Sequence, residues 1–237
     1  MSGAPRVLIT GAARRIGRVI AIELSRRGFD VAIHYNTSAA EAEKTSRECG
    51  GAPIFQADLA RVDEIRRLFR EVGERFGPLN CLVNNAARFT RFNALDISEA
   101  DWDFIHNVNL KATFFCCQEG ARQMKAQGAG RIVNISSLGG IRPWAEHVHY
   151  CASKAGVIML TRALAKALAP EITVNSVAPG VISFNDVDAS TQLMIDATPV
   201  RRAGKPEEVA QAVYFFLTAP DFITGQIMAV DGGLSQR

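Results

Sequence analysis

Short apolar runs alternate with longer amphipathic segments along the whole chain. The short runs are rich in β-branched residues, which is typical of strands covered on both faces of a parallel sheet. The longer segments place apolar residues at helical spacing, as Val157, Leu160, Leu164 and Leu168 do. This alternation, without repeats or linkers, predicts an α/β fold: a single doubly wound domain over residues 1–237 with a seven-stranded parallel sheet flanked by helices.

The same pattern predicts where each element begins and ends. The predicted strands are Arg6–Thr10, Asp30–Tyr35, Pro53–Gln56, Cys81–Asn84, Arg131–Ser136, Thr173–Val177 and Ile227–Val230. The predicted helices are Ile16–Arg27, Ala39–Cys49, Val62–Phe76, Ala100–Gln127, Cys151–Leu168 and Pro206–Thr218. The segment Ile182–Lys205 is polar and weakly periodic, so we predict a substrate loop or lid there, because long loops in compact domains are usually functional or disordered.

Composition and charge narrow the class of protein. The chain has 237 residues, 48% of them hydrophobic, and 27 basic against 24 acidic side chains give a net charge of +3. Such a composition excludes a mainly disordered chain. Basic residues alternate with acidic ones instead of forming a stripe, so we expect no nucleic-acid partner.

Other features bear on location and redox chemistry. The chain runs directly into a strand, and no apolar run approaches the roughly 20 residues that span a bilayer, so we predict a cytoplasmic protein without membrane contact. The five cysteines are an odd set without metal-ligand spacing, so we expect neither a disulfide framework nor a metal site. Cys151 is interpreted as a small buried apolar residue rather than a nucleophile.

A small-residue turn joins the first predicted strand to the first helix. Gly11 permits a tight turn, Ala12 and Ala13 keep side chains small, and Gly17 lets the helix pack closely on the strand. The helix N-terminus then faces a phosphate group. The pattern predicts a dinucleotide-binding turn, although a simple connection between a strand and a helix can carry the same glycines.

The end of the second strand bears on the choice between NAD and NADP. NAD sites usually carry an acidic residue there, and this strand end has none. Arg14 and Arg15 in the first turn can bind a 2′-phosphate instead, so we predict NADP(H) as the cofactor. The alternative for both arginines is a solvated surface. The predicted contacts on the strand end are His34, Tyr35, Asn36, Thr37 and Ser38.

Three polar residues form a candidate catalytic group. Tyr150 and Lys154 stand four residues apart at a helix start, so their side chains share one helical face. A nearby ammonium group favours a phenolate and would lower the tyrosine pKa toward values useful for proton transfer. Ser137, at a strand end, can stabilise charge that develops on a substrate oxygen. Each residue alone is more often structural.

The joint spacing of these motifs resembles the short-chain dehydrogenase/reductase family over essentially the whole chain. The motifs are Thr10-Gly11, Asn84-Asn85-Ala86-Ala87, Asn109, Ser137, Tyr150, Lys154 and Pro179-Gly180. The resemblance implies a Rossmann-type fold and an NADP-dependent oxidoreductase that acts on a small molecule. It also implies a homotetramer, or a homodimer, that assembles through the two longest predicted helices.

The resemblance assigns a role to each motif residue. Tyr150 is implied to be the general acid/base, Lys154 to hold the nicotinamide ribose, Ser137 to orient a carbonyl or imine, and Asn109 to support a water-linked proton relay. Further implied cofactor contacts are Ile16, Asp58, Leu59, Asn85, Ala86, Ala87, Pro179, Gly180, Val181 and Ile182.

Some local features are similar to the pteridine reductase and dihydromonapterin reductase branch of the family. Arg15 stands where most members have glycine, and Ser183-Phe184-Asn185 follows the proline-glycine motif as it does in that branch. We therefore predict reduction of a C=N or C=O group in a pterin. The predicted substrate pocket consists of Arg15, Phe89, Trp144, His147 and Phe184.

Ser137 supports a different substrate class. Pteridine reductases typically carry aspartate at this position, whereas reductases of ketones, including 3-oxoacyl-carrier-protein reductases, use serine. A 3-oxoacyl-carrier-protein or other ketone substrate is therefore the alternative. A second alternative is a non-catalytic, NADP-sensing Rossmann protein, which would have no need of Ser137, Tyr150 and Lys154 together.

Overall fold

Seven strands pair in parallel within one sheet, which confirms the predicted fold class. The computed structural model describes residues 3–184 and 188–236. The strands are β1 Arg6–Ile9, β2 Asp30–Tyr35, β3 Ile54–Gln56, β4 Cys81–Asn84, β5 Gly130–Ile135, β6 Ile172–Pro179 and β7 Ile227–Val230. Their order is β3-β2-β1-β4-β5-β6-β7, so the chain reverses its direction of winding between β1 and β4. Ligands of such sheets bind at the carboxyl ends of the strands, at this reversal.

Helices cover both faces of the sheet. They are α1 Arg15–Arg26, α2 Ala39–Glu48, α3 Val62–Arg75, α4 Glu99–His106, α5 Ala112–Ala126, α6 Val148–Leu168, α7 Ala189–Ala197 and α8 Pro206–Thr218. Within residues 3–184 and 188–236, no helix combines the length and apolar character needed to cross a membrane.

The alternation of side chains along β1 divides the core into two halves. Val7 and Ile9 pack with α1 and α8 on one face, whereas Leu8 packs with α3 and α5 on the other. Every other strand residue therefore enters a different apolar cluster, as the period of a strand requires. The continuous apolar runs of the sequence reflect this burial on both faces.

The predicted helix Ala100–Gln127 is interrupted in the structure. Residues Asn107–Lys111 form a π-helical turn between α4 and α5. Asn109 lies within this turn, and its side chain is bonded to two neighbouring segments. A wider turn of this kind often marks a functional position, and hydrophobic periodicity gives no signal for it.

The prediction of a loop over Ile182–Lys205 is wrong for part of that segment. Residues Ala189–Ala197 form α7, because Asp188 caps the helix by accepting from the Thr191 N–H and Ile195 is buried beneath it. A bridge between Ile182 and Gly204 closes the base of the segment. Residues 185–187, including Asn185 of the predicted pterin-branch motif, lie outside the described residues.

Candidate active site

The turn after β1 has the geometry that the glycines predict. Gly11 has a positive φ of 63°, and a Cβ there would lie 2.9 Å from the Cα of Ala86. A Cβ on Gly17 would lie 2.3 Å from the carbonyl oxygen of Gly11 and 2.5 Å from Nδ2 of Asn85. Both positions therefore need glycine, and the start of α1 is held directly against the turn. This close approach fits a cradle for a dinucleotide phosphate.

Hydrogen bonds with three side chains stabilise this turn. The Gly11 N–H donates to Nδ1 of His34 at 3.0 Å. Asn85 donates from Nδ2 to the carbonyl oxygens of Thr10 and Gly11, both at 3.0 Å. Thr45 on α2 donates to the carbonyl oxygen of Ala13, also at 3.0 Å. Thr45 was not predicted, since a threonine in an amphipathic helix gives no signal of a contact so distant along the chain.

The structure corrects the prediction that the His34 side chain contacts the cofactor. His34 is only 2% exposed. One ring nitrogen binds the Gly11 N–H, and the other lies 3.1 Å from the carbonyl oxygen of Ala57. Burial lowers the pKa of His34 to about 4, so the ring is neutral. The side chain points beneath the turn because residues alternate between the two faces of β2.

The exposed residues near β2 carry polar side chains whose donors suit a 2′-phosphate. Arg14 is exposed at the N-terminus of α1, where a helix dipole also favours an anion. Asn36 and Thr37 are exposed after β2, and the Ser38 hydroxyl makes no capping bond to α2. Tyr35 is half-buried and packs against the core. The donor set at this strand end thus fits a phosphorylated ribose.

Arg15 adopts a backbone conformation that few residues other than glycine adopt. Its φ is +53°, in the left-handed region. Its guanidinium group lies over the ring of Phe184, 5.4 Å from the centroid. Two predicted pocket residues, from distant parts of the chain, are therefore in contact.

The adenine-side residues divide between surface and core. The Asp58 carboxylate accepts from the Ala60 N–H and shapes the turn after β3. Leu59 is buried in the core with α3, so only its backbone can contact a cofactor. Ile16 likewise packs against the core. Leu59 can therefore contact a cofactor only through its main chain. Ile16 can do so through its main chain or the edge of its side chain.

Ser137 and Tyr150 come together at the carboxyl ends of the strands. Ser137 follows β5, and its Oγ accepts from the Gly139 N–H at 3.0 Å. Tyr150 lies in the first turn of α6 and is 9% exposed. Burial raises the pKa of Tyr150 to about 12, although a hydrogen bond with the Ser137 side chain partly offsets the effect. The phenol is therefore protonated at neutral pH.

Lys154 lies one turn further along α6, fully inside the protein. Its Nζ donates to the carbonyl oxygen of Ile135 at 2.8 Å and lies 5.9 Å from the centroid of the Tyr150 ring. Burial lowers the pKa of Lys154 to about 8. The expectation that this ammonium lowers the Tyr150 pKa is corrected, because in the structure burial dominates the environment of the phenol.

Asn109 fixes the segment after β4 to the catalytic helix. Its Oδ1 accepts from the Arg88 N–H at 2.8 Å, and its Nδ2 donates to the Arg88 carbonyl at 3.0 Å. Nδ2 also donates to the Ser153 hydroxyl at 3.1 Å. Both amide hydrogens are thus used inside the protein. The Asn109 side chain therefore has no donor left for the implied water relay, whereas its main-chain carbonyl oxygen, which accepts from the Thr113 hydroxyl at 2.8 Å, has a second lone pair for a water.

Aromatic rings surround the Tyr150 side chain. Phe89 is 57% exposed, so it does not point into the core. It stacks on His147 with ring centroids 4.4 Å apart and meets the Tyr150 ring edge-on at 4.8 Å. Trp144 stacks parallel to Tyr150 at 6.1 Å. His147 also bonds through Nδ1 to the Thr90 carbonyl oxygen at 2.8 Å.

The remaining predicted contacts frame the opening. Pro179 ends β6, where it is buried, and Gly180 approaches Asp231 so closely that a Cβ would lie 2.7 Å from the Asp231 Cα. Ala87 is exposed three residues after β4. Val181 and Ile182 are half-buried beyond β6. Cys151 is half-buried rather than buried as predicted, and its raised pKa, caused mainly by burial, keeps the thiol protonated.

Comparisons with known proteins agree with this geometry. A family model described as Enoyl-(Acyl carrier protein) reductase matches residues 11–235. The 3-oxoacyl-[acyl-carrier-protein] reductase FabG of Staphylococcus aureus is 39% identical over 238 aligned residues, which cover 96% of each chain. This relative carries the name of the alternative substrate class. The pterin branch stays unconfirmed.

Two solved structures are similar along almost their whole length. An acetoin dehydrogenase from Enterobacter cloacae has a TM-score of 0.91 and 33% identity, with 100% of this chain and 97% of that chain covered. A gluconate 5-dehydrogenase from Burkholderia cenocepacia, solved in complex with NADP and tartrate, has a TM-score of 0.91 and 32% identity, with 99% and 96% covered.

Proposed function

The chain belongs to the short-chain dehydrogenase/reductase family of oxidoreductases, and from that premise we propose that it is an NADPH-dependent reductase of a carbonyl group. The observation that carries the proposal is the buried Tyr150 phenol, which lies beside the Ser137 side chain and has the Lys154 ammonium one helical turn away. A protein that only bound a nucleotide would have no use for this arrangement, which disfavours the sensing alternative.

Each residue of the group has a separate task in this reaction. Tyr150 is the general acid, because a phenol with a pKa raised to about 12 still holds its proton when the substrate oxygen gains charge. Ser137 donates its hydroxyl hydrogen to the same oxygen, since its Oγ accepts from the Gly139 N–H and that bond leaves the hydroxyl hydrogen unused. When bound, NADPH supplies the hydride. Lys154 carries its positive charge one helical turn from Tyr150, which stabilises the phenolate until a proton from solvent restores the phenol.

The preference for NADPH rests on Arg14 and on the absence of an acidic residue among positions 35–38 of the described strand end. We expect Arg14→Ala to raise KM for NADPH about tenfold, because a charge-assisted hydrogen bond is lost, and to leave KM for NADH almost unchanged. Arg70→Ala is the matched control, since Arg70 is exposed on α3, on the opposite face of the sheet. A wild-type preference for NADH would overturn the cofactor assignment.

A 3-oxoacyl thioester is the first candidate substrate. Ser137 is the residue that ketone reductases use at this position, and the Staphylococcus aureus relative is named for this reaction. The exposed ring of Phe89, which stacks on His147 and meets Tyr150 edge-on, offers apolar surface beside the phenol to an acyl chain.

A pterin is the second candidate, favoured by one specific observation. The exposed face of Phe89 and the guanidinium of Arg15 are flat groups on the walls of the proposed pocket, and flat groups suit a planar heterocycle. The contact between Arg15 and Phe184 supports the same interpretation.

One substrate panel separates the two candidates. NADPH oxidation is measured with an acetoacetyl thioester, dihydrobiopterin, dihydromonapterin and a simple ketone. We expect the thioester to be reduced fastest. Rapid turnover of the pterins alone would replace the first candidate by the second, and no turnover of any carbonyl or imine would overturn the proposed function.

Assembly into a homotetramer, or a homodimer, and a cytoplasmic location complete the proposal. Phe104 on α4, Phe114 on α5 and Met159 on α6 are exposed on the helices that the family resemblance implies as an interface. Light scattering after gel filtration tests the assembly. We expect the wild type to have a multiple of the 25.7 kDa chain mass and Phe114→Asp to have a lower mass. A monomeric wild type would overturn it.

A further inference from the structure

His34 connects two parts of the nucleotide site that lie on different strands. Its carbonyl oxygen accepts from the Ala12 N–H at 2.9 Å, and its Nδ1 accepts from the Gly11 N–H at 3.0 Å. Its Nε2 lies 3.1 Å from the carbonyl oxygen of Ala57, which directly precedes Asp58. One imidazole on β2 therefore spans the distance from the turn after β1 to the end of β3.

The two partners determine the state of the ring. A backbone N–H can only donate and a backbone carbonyl can only accept, so Nδ1 must be the acceptor and Nε2 must carry the hydrogen. This is a single neutral tautomer. The low pKa of the buried ring agrees with it, because a proton on Nδ1 would face the Gly11 N–H.

Gly11 is held from both sides. His34 binds its N–H, and Asn85 binds its carbonyl oxygen at 3.0 Å. The positive φ of Gly11 brings the turn against Ala86. The position of the turn therefore depends on His34 on one flank and on Asn85 on the other.

We propose that His34 is a positioning residue for the cofactor: its imidazole sets the phosphate turn and the segment from Ala57 to Leu59 at the separation that an adenine dinucleotide requires. This inference rests on the proposed function, since it assumes that the chain binds a nicotinamide dinucleotide. NADPH and NADH share the pyrophosphate and adenine. His34 therefore governs the affinity for both equally, unlike Arg14.

Three substitutions distinguish positioning from the filling of space. His34→Leu fills the space but leaves the Gly11 N–H and the Ala57 carbonyl without partners. His34→Asn places Oδ1 near the position of Nδ1 and keeps an acceptor for Gly11. His34→Gln is longer, so its amide reaches toward Ala57 instead.

The experiment measures Kd for NADPH and NADH by fluorescence titration, together with kcat and cofactor KM. We expect His34→Leu to weaken both cofactors about tenfold, equivalent to about 1.4 kcal/mol, and His34→Asn, which keeps the bond to Gly11 but loses the one to Ala57, to weaken both about threefold. The loss should fall on KM for the cofactor rather than on kcat. Arg14→Ala, in contrast, should weaken NADPH alone.

Several results would overturn the inference: unchanged affinity in His34→Leu, equal losses in His34→Leu and His34→Asn, or a loss confined to NADPH. If the leucine variant does not fold, the asparagine and glutamine variants decide, because tighter binding by asparagine is expected and the reverse order contradicts positioning through Gly11. A wild-type chain that binds neither nucleotide would instead overturn the proposed function, together with this inference, before any variant is compared.

Discussion

The two ends of the crevice are built by different kinds of contact. At the phosphate turn, the backbone of residues 10–13 is bonded to side chains of His34, Thr45 and Asn85 at 3.0 Å. At the substrate end, Phe89, Trp144 and Tyr150 meet through ring contacts, and Phe89 stays mostly exposed. Directional bonds predominate at the first end, whereas ring packing predominates at the second, where Phe89 and Trp144 lie on loops beside Tyr150 of α6.

This difference separates what relatives share from what distinguishes them. A dinucleotide presents the same pyrophosphate to every enzyme that uses it, so one fixed turn serves many reactions. Substrates differ, and loops on a rigid scaffold can change without disturbing the sheet. The reductase and the dehydrogenases to which the chain is similar are named for different substrates, in agreement with this division.

The largest effect should come from Tyr150, which lies between the two ends. Tyr150→Phe keeps the ring contacts but removes the acidic hydrogen, so we expect kcat to fall by about 10³-fold or more while Kd for NADPH stays within about twofold. Tyr214→Phe on α8 is the matched control, since that ring packs against Phe29 far from Ser137. Full activity in Tyr150→Phe would show that another group donates the proton.

A methyl group at Gly17 tests how rigid the phosphate turn is. Gly17→Ala places Cβ 2.3 Å from the Gly11 carbonyl oxygen, so the turn or the helix must move. We expect NADPH affinity to fall by about 30-fold or more, because overpacking against backbone commonly costs about 1–3 kcal/mol and displaces the amides. The control is Gly73→Ala on α3, whose Cβ meets only Gln123 at 3.5 Å. Unchanged binding in Gly17→Ala would mean that the turn adapts.

Protonation of His34 at acidic pH should destabilise the folded protein at the phosphate turn. The pKa of His34 is about 4 in the folded protein against 6.5 for an ordinary histidine, so the unfolded chain binds more protons between these values. The stability that the neutral His34 ring gives to the folded protein is complete above pH 6.5 and is lost as the pH falls toward 4. From about pH 7 to about pH 5, the free energy of unfolding should fall by about 2 kcal/mol more in the wild type than in His34→Asn. The free energy of unfolding is measured by urea unfolding of both proteins at the two pH values. An equal fall in the two proteins would contradict this prediction.

The smallest effect should come from the substrate end. Phe89→Leu removes one ring face, and an aromatic pair contributes about 0.5–1.5 kcal/mol, so KM for a planar substrate should rise by about two- to tenfold. We expect little change in KM for an acetoacetyl thioester or in Kd for NADPH. Phe222→Leu, at a fully exposed ring, is the control. Equal effects on both substrates would mean that Phe89 acts on the site as a whole.

The sequence predicts the phosphate turn better than the substrate end of the crevice, for physical reasons. Gly11, Gly17 and the bounds of β2 and β4 follow from local pattern, because a tight turn and a buried strand leave few alternatives. Contacts between distant segments do not follow, such as the bond from Thr45 to Ala13 or the stacking of Arg15 on Phe184. Helix α7 was missed because its stability comes from one cap and one buried isoleucine rather than from a long apolar face.

The sequence also does not predict the direction in which the pKa of Tyr150 shifts. The spacing of Tyr150 and Lys154 predicts a cation near the phenol, and α6 does place both residues on one face. Burial of each group is a property of the whole fold, and it raises one pKa while lowering the other. The sequence therefore predicts which residues form the candidate catalytic group, but it does not predict how burial shifts their pKa values.

A single-turnover reaction tests the proposed carbonyl reduction most directly. The wild-type protein is mixed with one equivalent of NADPH and an excess of acetoacetyl thioester, and the loss of dihydronicotinamide absorbance is followed together with the 3-hydroxy product. We predict stoichiometric formation of the hydroxy product, faster with NADPH than with NADH. Persistence of the absorbance with every carbonyl substrate, or faster reaction with NADH, would contradict an NADPH-dependent carbonyl reductase.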